Sequence, residues 1–176
     1  MIQKNKPVNS ETTFFFLSSI LQKTENFARH MDNQTSILVG LSSALFVLSV
    51  SQIKIENGVF LLPLLIFALF TLSSAIVAIF ALIPPKFMRK RDQKESLLYN
   101  KKIAGFDSAS QYFKELKKVA GDLDKITEQY SVEIYNICRY YYRPKRRLFK
   151  ISRQLLCLGI FLSLAIIVFH LFLGIF

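Results

Sequence analysis

Three long apolar runs that contain no Lys, Arg, Asp or Glu constrain this chain more than any other feature. They occupy residues 36–53, 59–83 and 155–176. At a rise of about 1.5 Å per residue, each run can cross a hydrocarbon core of roughly 30 Å as a helix, the first only just. A soluble domain of 176 residues has too little remaining chain to cover three such helices. The sequence therefore predicts an all-α membrane protein with three transmembrane helices.

Basic residues are distributed unevenly among the connecting segments. Four lie in residues 1–35, one in residues 54–58 and 18 in residues 84–154. Because Lys and Arg near span ends are held on the cytoplasmic side, only one orientation fits. It places the N-terminus and the 84–154 segment in the cytoplasm, and the short turn 54–58 and the C-terminus outside.

The N-terminal segment predicts a cytoplasmic amphipathic helix. Phe14, Leu17, Leu21 and Phe27 recur near helical spacing within residues 1–35, with polar residues between them. The helix either runs unbroken into the first span or lies along the membrane surface, and the sequence leaves both arrangements open. Because no small-residue cleavage site follows the short apolar stretch, we expect this segment to be retained.

The middle segment predicts long cytoplasmic helical extensions. A capping-box pattern at Ser108 opens a helix, and apolar residues at steps of three and four extend it as one amphipathic helix to Tyr141. We expect it to end near Arg143, because the residue before Pro144 is pushed out of helical geometry. Pro144 can then open a last helix, which passes from a basic stalk into the third span.

No sequence pattern supports catalysis. The two His and two Cys lack metal-ligand spacing, and neither a glycine-rich phosphate loop nor a nucleophile elbow is present. We therefore expect a protein that is not an enzyme and needs no cofactor. Topology alone accounts for the positive charge, so a nucleic-acid polymer is not favoured as a partner.

Several short motifs, taken in order, resemble the transmembrane effectors of the Pycsar antiviral system. MDNQTSILVG resembles the start of the family's first span, roughly Ala-Asp-Thr-Lys-Ala-x-Ile-Leu-x-Gly, with Asp32 and Gly40 in place. SLLYNKKIAGFDSASQYFKEL resembles its Asn-Leu-Leu-x-Phe-Gly-x-Phe segment and the Tyr-containing helix after it, with a departure at Ser96. VEIYNICRYYYRPKRRLFKIS resembles its Asp-Ile-Tyr helix and basic-aromatic stalk, with Glu133 replacing Asp. The resemblance spans residues 25–169.

The resemblance implies an effector of abortive infection in a bacterial inner membrane. In that family a cognate pyrimidine cyclase responds to phage by making cCMP or cUMP, and the effector then impairs the membrane. Residues 84–154 hold 18 basic and eight acidic residues, and this excess would attract an anionic messenger. Because three helices cannot enclose a wet pore, a homo-oligomer is expected. The competing interpretation is a non-lytic scaffold or regulatory subunit whose basic cytoplasmic face binds anionic lipid or a partner protein.

Two sets of candidate site residues follow from the effector interpretation. The messenger-binding set combines aromatic rings that could stack on a pyrimidine with cations that could meet a cyclic phosphate. Its members are Tyr112, Tyr135, Arg139, Tyr140, Lys145, Arg146 and Arg147, with Tyr141 as a further candidate. The membrane-junction set is Asp32, Gly40, Lys150 and Arg153. We expect Asp32 to be a solvated interfacial acid that can pair with Lys150 or Arg153. The alternative roles are helix packing for the tyrosines and interfacial anchoring for the cations.

Overall fold

The structure is a computed structural model, and it describes residues 10–53, 58, 60–83, 85 and 94–172. All regular structure within these residues is helical, and three of the helices are long and apolar enough to cross a membrane. The all-α membrane fold predicted from the sequence is therefore confirmed. Apart from Gly58, the predicted external turn lies outside the described residues.

Six α-helices and one π-helical segment follow one another along the described residues. They are α1 (Ser10–Ile53), α2 (Leu61–Leu82), α3 (Asn100–Ala104), α4 (Ala109–Ala120), α5 (Leu123–Asn136) and α6 (Arg143–Phe172), with the π segment Ile137–Tyr142 between α5 and α6. The predicted helix start at Ser108 is confirmed, because its side chain accepts a hydrogen bond from the backbone N–H of Gln111.

The first helix is continuous from its amphipathic part into its apolar part. Of the two arrangements that the sequence left open, α1 thus adopts the unbroken one. The hydroxyls of Thr24 and Thr35 donate to backbone carbonyls four residues earlier, at 2.8 and 2.7 Å. These bonds satisfy the hydroxyls within the helix itself, so the helix continues through polar positions without a break.

The single amphipathic helix predicted from Ser108 to Tyr141 is wrong, because the chain breaks at Gly121. This residue ends α4, and Asp122 then caps α5 by accepting hydrogen bonds from the backbone N–H groups of Asp124 and Lys125. Glycine has low helix propensity and aspartate is a favoured N-cap, so two local preferences override a continuous apolar period.

The predicted helix end near Arg143 is also wrong. The helix continues from Leu123 to Phe172, with the π segment lying directly before Arg143 and Pro144. Proline lacks an N–H donor, and its ring crowds the carbonyl of the preceding turn in an α-helix. The wider π turn lies where that crowding would occur, and the chain therefore passes Pro144 while remaining helical.

The chain divides into two compact units. Met1–Arg29 and Arg89–Tyr142 form the first, called the charged unit below, and His30–Met88 and Arg143–Phe176 form the second, called the span unit. Two continuous helices contribute residues to both units, namely α1 and the helix that runs from α5 through the π segment into α6.

Small side chains allow close packing inside the span unit. Ala78 and Ala81 of α2 have no exposed surface, and Ala78 packs with Leu38 of α1 and Leu156 of α6. Gly159 lies so close to α2 that a Cβ added there would be 2.5 Å from the Cβ of Phe70. Membrane helices rely on such small residues for close approach, because lipid supplies no hydrophobic force between them.

Candidate functional site

In the charged unit, α5 holds the short segment 94–98 through hydrogen bonds from one face. Gln129 accepts from the backbone N–H of Leu97 at 2.8 Å, and Asn136 donates to the carbonyl of Lys94 at 2.9 Å. Between them the buried Ser96 hydroxyl donates to a carboxyl oxygen of buried Glu133. Three polar groups of this non-helical segment are thereby satisfied by α5.

Tyr112 of α4 secures the same segment from another side. Its hydroxyl donates to the carbonyl of Leu97 at 3.2 Å, and its ring lies 5.3 Å from the ring of Phe106. Because both ends of the side chain are engaged, this tyrosine holds the fold of the charged unit together.

Two tyrosine rings pack together where α5 becomes the π segment. The rings of Tyr135 and Tyr140 lie 6.0 Å apart in an edge-to-face arrangement. Tyr135 is 57% exposed, and the neighbouring Arg139 is exposed as well. A π turn brings residues five apart to the same face, whereas an α turn would bring residues four apart. The start of the π segment thus brings the two rings together, and the exposed Arg139 lies next to Tyr140 in the chain.

In the span unit, Asp32 of α1 forms an ion pair with Lys145 of α6. The distance from Oδ1 to Nζ is 2.5 Å, the Lys145 side chain is 3% exposed and that of Asp32 is 32% exposed. The structure thus gives Asp32 a partner earlier in α6 than the predicted Lys150 and Arg153, both of which are exposed.

Further along the same helices, the span unit contains three buried serine hydroxyls, one from each long helix, that are hydrogen-bonded in a row. Ser74 of α2 lies 3.1 Å from Ser42 of α1 and 2.9 Å from Ser152 of α6, Oγ to Oγ. The Ser152 hydroxyl also donates to the carbonyl of Ser74 at 2.8 Å. Hydrogen bonds between membrane helices contribute about 0.6 kcal/mol each on average, so this row of hydroxyls fixes register more than it adds stability.

The predicted residues are distributed over both units. Tyr112, Tyr135, Arg139 and Tyr140 lie in the charged unit, and Lys145, Arg146, Arg147, Lys150, Arg153, Asp32 and Gly40 lie in the span unit. Within one unit the structure brings together Tyr135 with Tyr140, and Asp32 with Lys145. Gly40 is exposed, and a Cβ added to it would meet no atom within 4 Å.

Several structurally important polar residues were missed by sequence reasoning. These are Ser42, Ser74 and Ser152 in the span unit, and Gln129, Glu133 and Asn136 on one face of α5. The spacing of the α5 group is compatible with one helix face and offered a signal. The serines offered none, because Ser is common in membrane helices and its partners depend on helix register. Among the described residues, no group of three His, Cys, Asp or Glu side chains could hold a metal ion.

These features define a class, that of all-α membrane proteins in which long helices join a charged helical unit to a unit of three apolar helices. The profile of the Pycsar effector protein domain, PycTM, matches residues 16–173 of the 176-residue chain. The chain therefore belongs to the Pycsar effector transmembrane family, whose members are antiphage effectors that respond to a cyclic nucleotide at a membrane. No curated protein and no solved structure matches it.

Proposed function

We propose that this protein binds a cyclic pyrimidine nucleotide, cCMP or cUMP, and responds by oligomerising and impairing the bacterial inner membrane. A cognate cyclase supplies the messenger. The observation that carries the proposal is the continuity of two helices, because α1 and the helix from α5 to α6 each belong to both units. A change in the charged unit therefore has two continuous helices along which it can reach the span unit.

We place the messenger first at Tyr135, Arg139 and Tyr140, where two rings lie 6.0 Å apart and an exposed guanidinium group is adjacent in the chain. A pyrimidine can stack on an aromatic ring, and a guanidinium group can form two parallel hydrogen bonds with phosphate oxygens. Arg146 and Arg147, exposed on α6 in the span unit, stay separate candidates for a phosphate contact. Lys145 is engaged by Asp32, so its charge is less available to a ligand than theirs.

The π segment offers a mechanism by which binding reaches α6. Its extra residue per turn is a local strain in a helix, and such segments recur at functional sites. A ligand that binds the π form of Tyr135 and Tyr140 more tightly than an α form would shift the helix between two registers. Because α6 follows without a break, the shift would rotate or translate its apolar part.

Impairment of the membrane by this route requires several copies. Around Ala78, Ala81 and the three serines the span unit is closely packed, since both alanines have no exposed surface and the serines bond to one another. A wet pathway therefore needs surfaces from more than one chain. Exposed apolar side chains such as Ile37 and Phe161, each 70% exposed, are available to lipid or to a second copy. In the proposed topology the N-terminus is cytoplasmic and the C-terminus is external.

Calorimetric titration of the purified protein with cCMP, cUMP and cAMP tests the binding step. We expect one of the two pyrimidine messengers to bind and Arg139→Ala to weaken its binding at least tenfold, because one charge-assisted bidentate contact is lost. Lys114→Ala is the matched control, since Lys114 is also an exposed cation of the charged unit. Heat from neither pyrimidine nucleotide would contradict direct sensing and favour the non-lytic scaffold.

A further inference from the structure

Three contacts fix the antiparallel register of α2 and α6. Ser74 bonds with Ser152, Phe70 faces Gly159, and the Ser163 hydroxyl donates to the carbonyl of Pro63 at 3.1 Å. The two serine contacts define the same axial position of one helix along the other, and the Phe70–Gly159 contact agrees with it to within three residues, or about 4.5 Å. The register places Arg153 level with Ser73, and Ala165 level with Leu61.

This register staggers the apolar bands of the two helices. From Ser73 to Leu82, α2 continues without charge for nine residues, or about 14 Å, beside the basic part of α6. At the other end, α6 extends from Ala165 to Phe172, about 10 Å past the level at which α2 begins. Phe169 and Phe172, in this extension, are 62% and 87% exposed.

The apolar band that both helices share is consequently short. It extends from the level of Arg153 and Ser73 to the level of Ala165 and Leu61, which corresponds to about 18 Å. A bilayer core is roughly 30 Å thick. If the apolar part of one helix is centred in the bilayer core, the apolar part of the other helix extends beyond the core. No depth of the protein in the bilayer places both apolar parts entirely within the core.

The chemistry of the displaced residues decides how the bilayer responds. Lys150 and Arg153 are exposed and lie beside the apolar part of α2, and their long side chains can reach back toward headgroups along α6. Headgroups drawn toward these cations come closer to the opposite leaflet, which thins the bilayer. Thinning around an apolar segment that is too short is a known response to hydrophobic mismatch.

We infer that the span unit thins the bilayer around itself, because the register of α2 and α6 leaves a shared apolar thickness of about 18 Å. The partner recognised by this surface is a phospholipid bilayer, and Lys150 and Arg153 draw its headgroups inward. The inference rests on the proposed function, for which it supplies a physical route to membrane impairment. Assembly of several copies would join the thinned regions.

Depth measurements test the register directly. Spin labels are placed at native Cys157 in a Cys138→Ser variant and, in a variant without cysteines, at Leu69→Cys. Depth is read from the relative access of oxygen and a water-soluble nickel chelate. Both positions are exposed. The register predicts equal depth for the two labels. If each apolar run instead spanned the bilayer on its own, with their cytoplasmic ends at one depth, the two labels would differ in depth by about 18 Å. A difference of that size would overturn the inference.

Leakage measurements test the consequence for the bilayer. The protein, with messenger added, is placed in vesicles of dimyristoleoyl, dioleoyl or dierucoyl phosphatidylcholine, which increase in thickness. We expect severalfold faster dye release from the thickest vesicles than from the thinnest. Lys150→Leu with Arg153→Leu lengthens the shared band and should remove this difference, whereas Lys114→Leu with Lys117→Leu, in the charged unit, should preserve it.

The two experiments separate the inference from the function on which it rests. Equal depths with leakage that does not depend on thickness overturn thinning and leave the proposed impairment standing. Equal depths with no leakage from any vesicle contradict the impairment itself, and thinning as its route falls with it.

Discussion

The Ser96 hydroxyl donates a hydrogen bond to a carboxyl oxygen of Glu133, and both side chains are buried. These are also two positions at which the chain departs from the family pattern, which has Asn at the first and Asp at the second. The short Ser side chain with the long Glu side chain can span the same distance as the longer Asn side chain with the shorter Asp side chain. We therefore expect the two departures to compensate each other.

This pair predicts a non-additive response to exchange. Glu133→Asp alone should withdraw the acceptor and lower the free energy of unfolding by about 1.5–3 kcal/mol, the range for a hydrogen bond to a charged group. Ser96→Asn alone should crowd the site, and the double variant should recover most of the loss. Thermal unfolding in detergent measures all three variants. Additive losses in the double variant would contradict the compensated pair.

The ion pair of Asp32 with Lys145 predicts a loss of stability when Asp32 is removed and a partial recovery when the two residues are swapped. Asp32→Ala leaves the nearly buried ammonium group without this carboxylate, and the loss should lie between the ~1 kcal/mol of an exposed pair and the ~3–5 kcal/mol of a buried one. Asp32→Lys with Lys145→Asp should restore part of the stability. The control is Lys150→Ala, an exposed cation one turn further along α6, which should change the melting temperature little.

Gly159 and Gly40 provide a matched pair of glycines in the apolar helices. Gly159→Ala places a Cβ 2.5 Å from the Cβ of Phe70, so α6 must move away from α2, at a cost of about 1–3 kcal/mol. Gly40→Ala meets no atom within 4 Å and should leave stability unchanged or raise it. Unfolding in mixed micelles, followed by circular dichroism, compares them. Equal effects would mean that the two helices do not approach as closely as described.

The N-cap of α5 predicts a pH dependence in the charged unit. Hydrogen bonds from Lys125, first from its backbone and then from its side chain, lower the pKa of Asp122 below its ordinary value of 3.8. Because the folded pKa lies below the unfolded one, the stabilisation is fully present above the unfolded value and is lost as the pH falls through the folded value. Asp122→Asn keeps an acceptor oxygen but does not titrate.

Hydrogen exchange measures this effect at the first amides of α5. In the wild type their protection should fall once the pH drops below 3.8, whereas the Asn variant should show little change over the same range. Equal pH profiles for the two proteins would show that the Asp122 carboxylate does not hold the start of the helix.

The sequence supports the three membrane helices well, because each predicted apolar run overlaps a single helix that is long and apolar enough to cross a membrane. It fails at Pro144, where a local rule predicts a helix end and the π segment removes the conflict instead. It also offers no means of finding that Ser42, Ser74 and Ser152 meet, since that depends on the axial register of three helices.

Sequence reasoning does not find the pairing of Asp32 with Lys145 for the same reason. If the cytoplasmic ends of the apolar runs are placed at the same depth, Asp32 comes level with Lys150 or Arg153. In the structure α6 has a different axial position, and Lys145 lies beside Asp32. The messenger-binding residues remain a proposal. Aromatic and cationic residues at a helix junction serve packing and anchoring as readily as recognition, and no periodicity distinguishes these roles.

Leakage from vesicles on addition of the messenger tests the central claim most directly. The purified protein is reconstituted with a trapped dye, and cCMP, cUMP or cAMP is then added to the face that exposes the charged unit. Dye release with one pyrimidine messenger, its absence with cAMP, and its loss in Arg139→Ala but not in Lys114→Ala are the predicted results. Vesicles that stay intact with both pyrimidine messengers would contradict the claim that this protein converts a nucleotide signal into membrane damage.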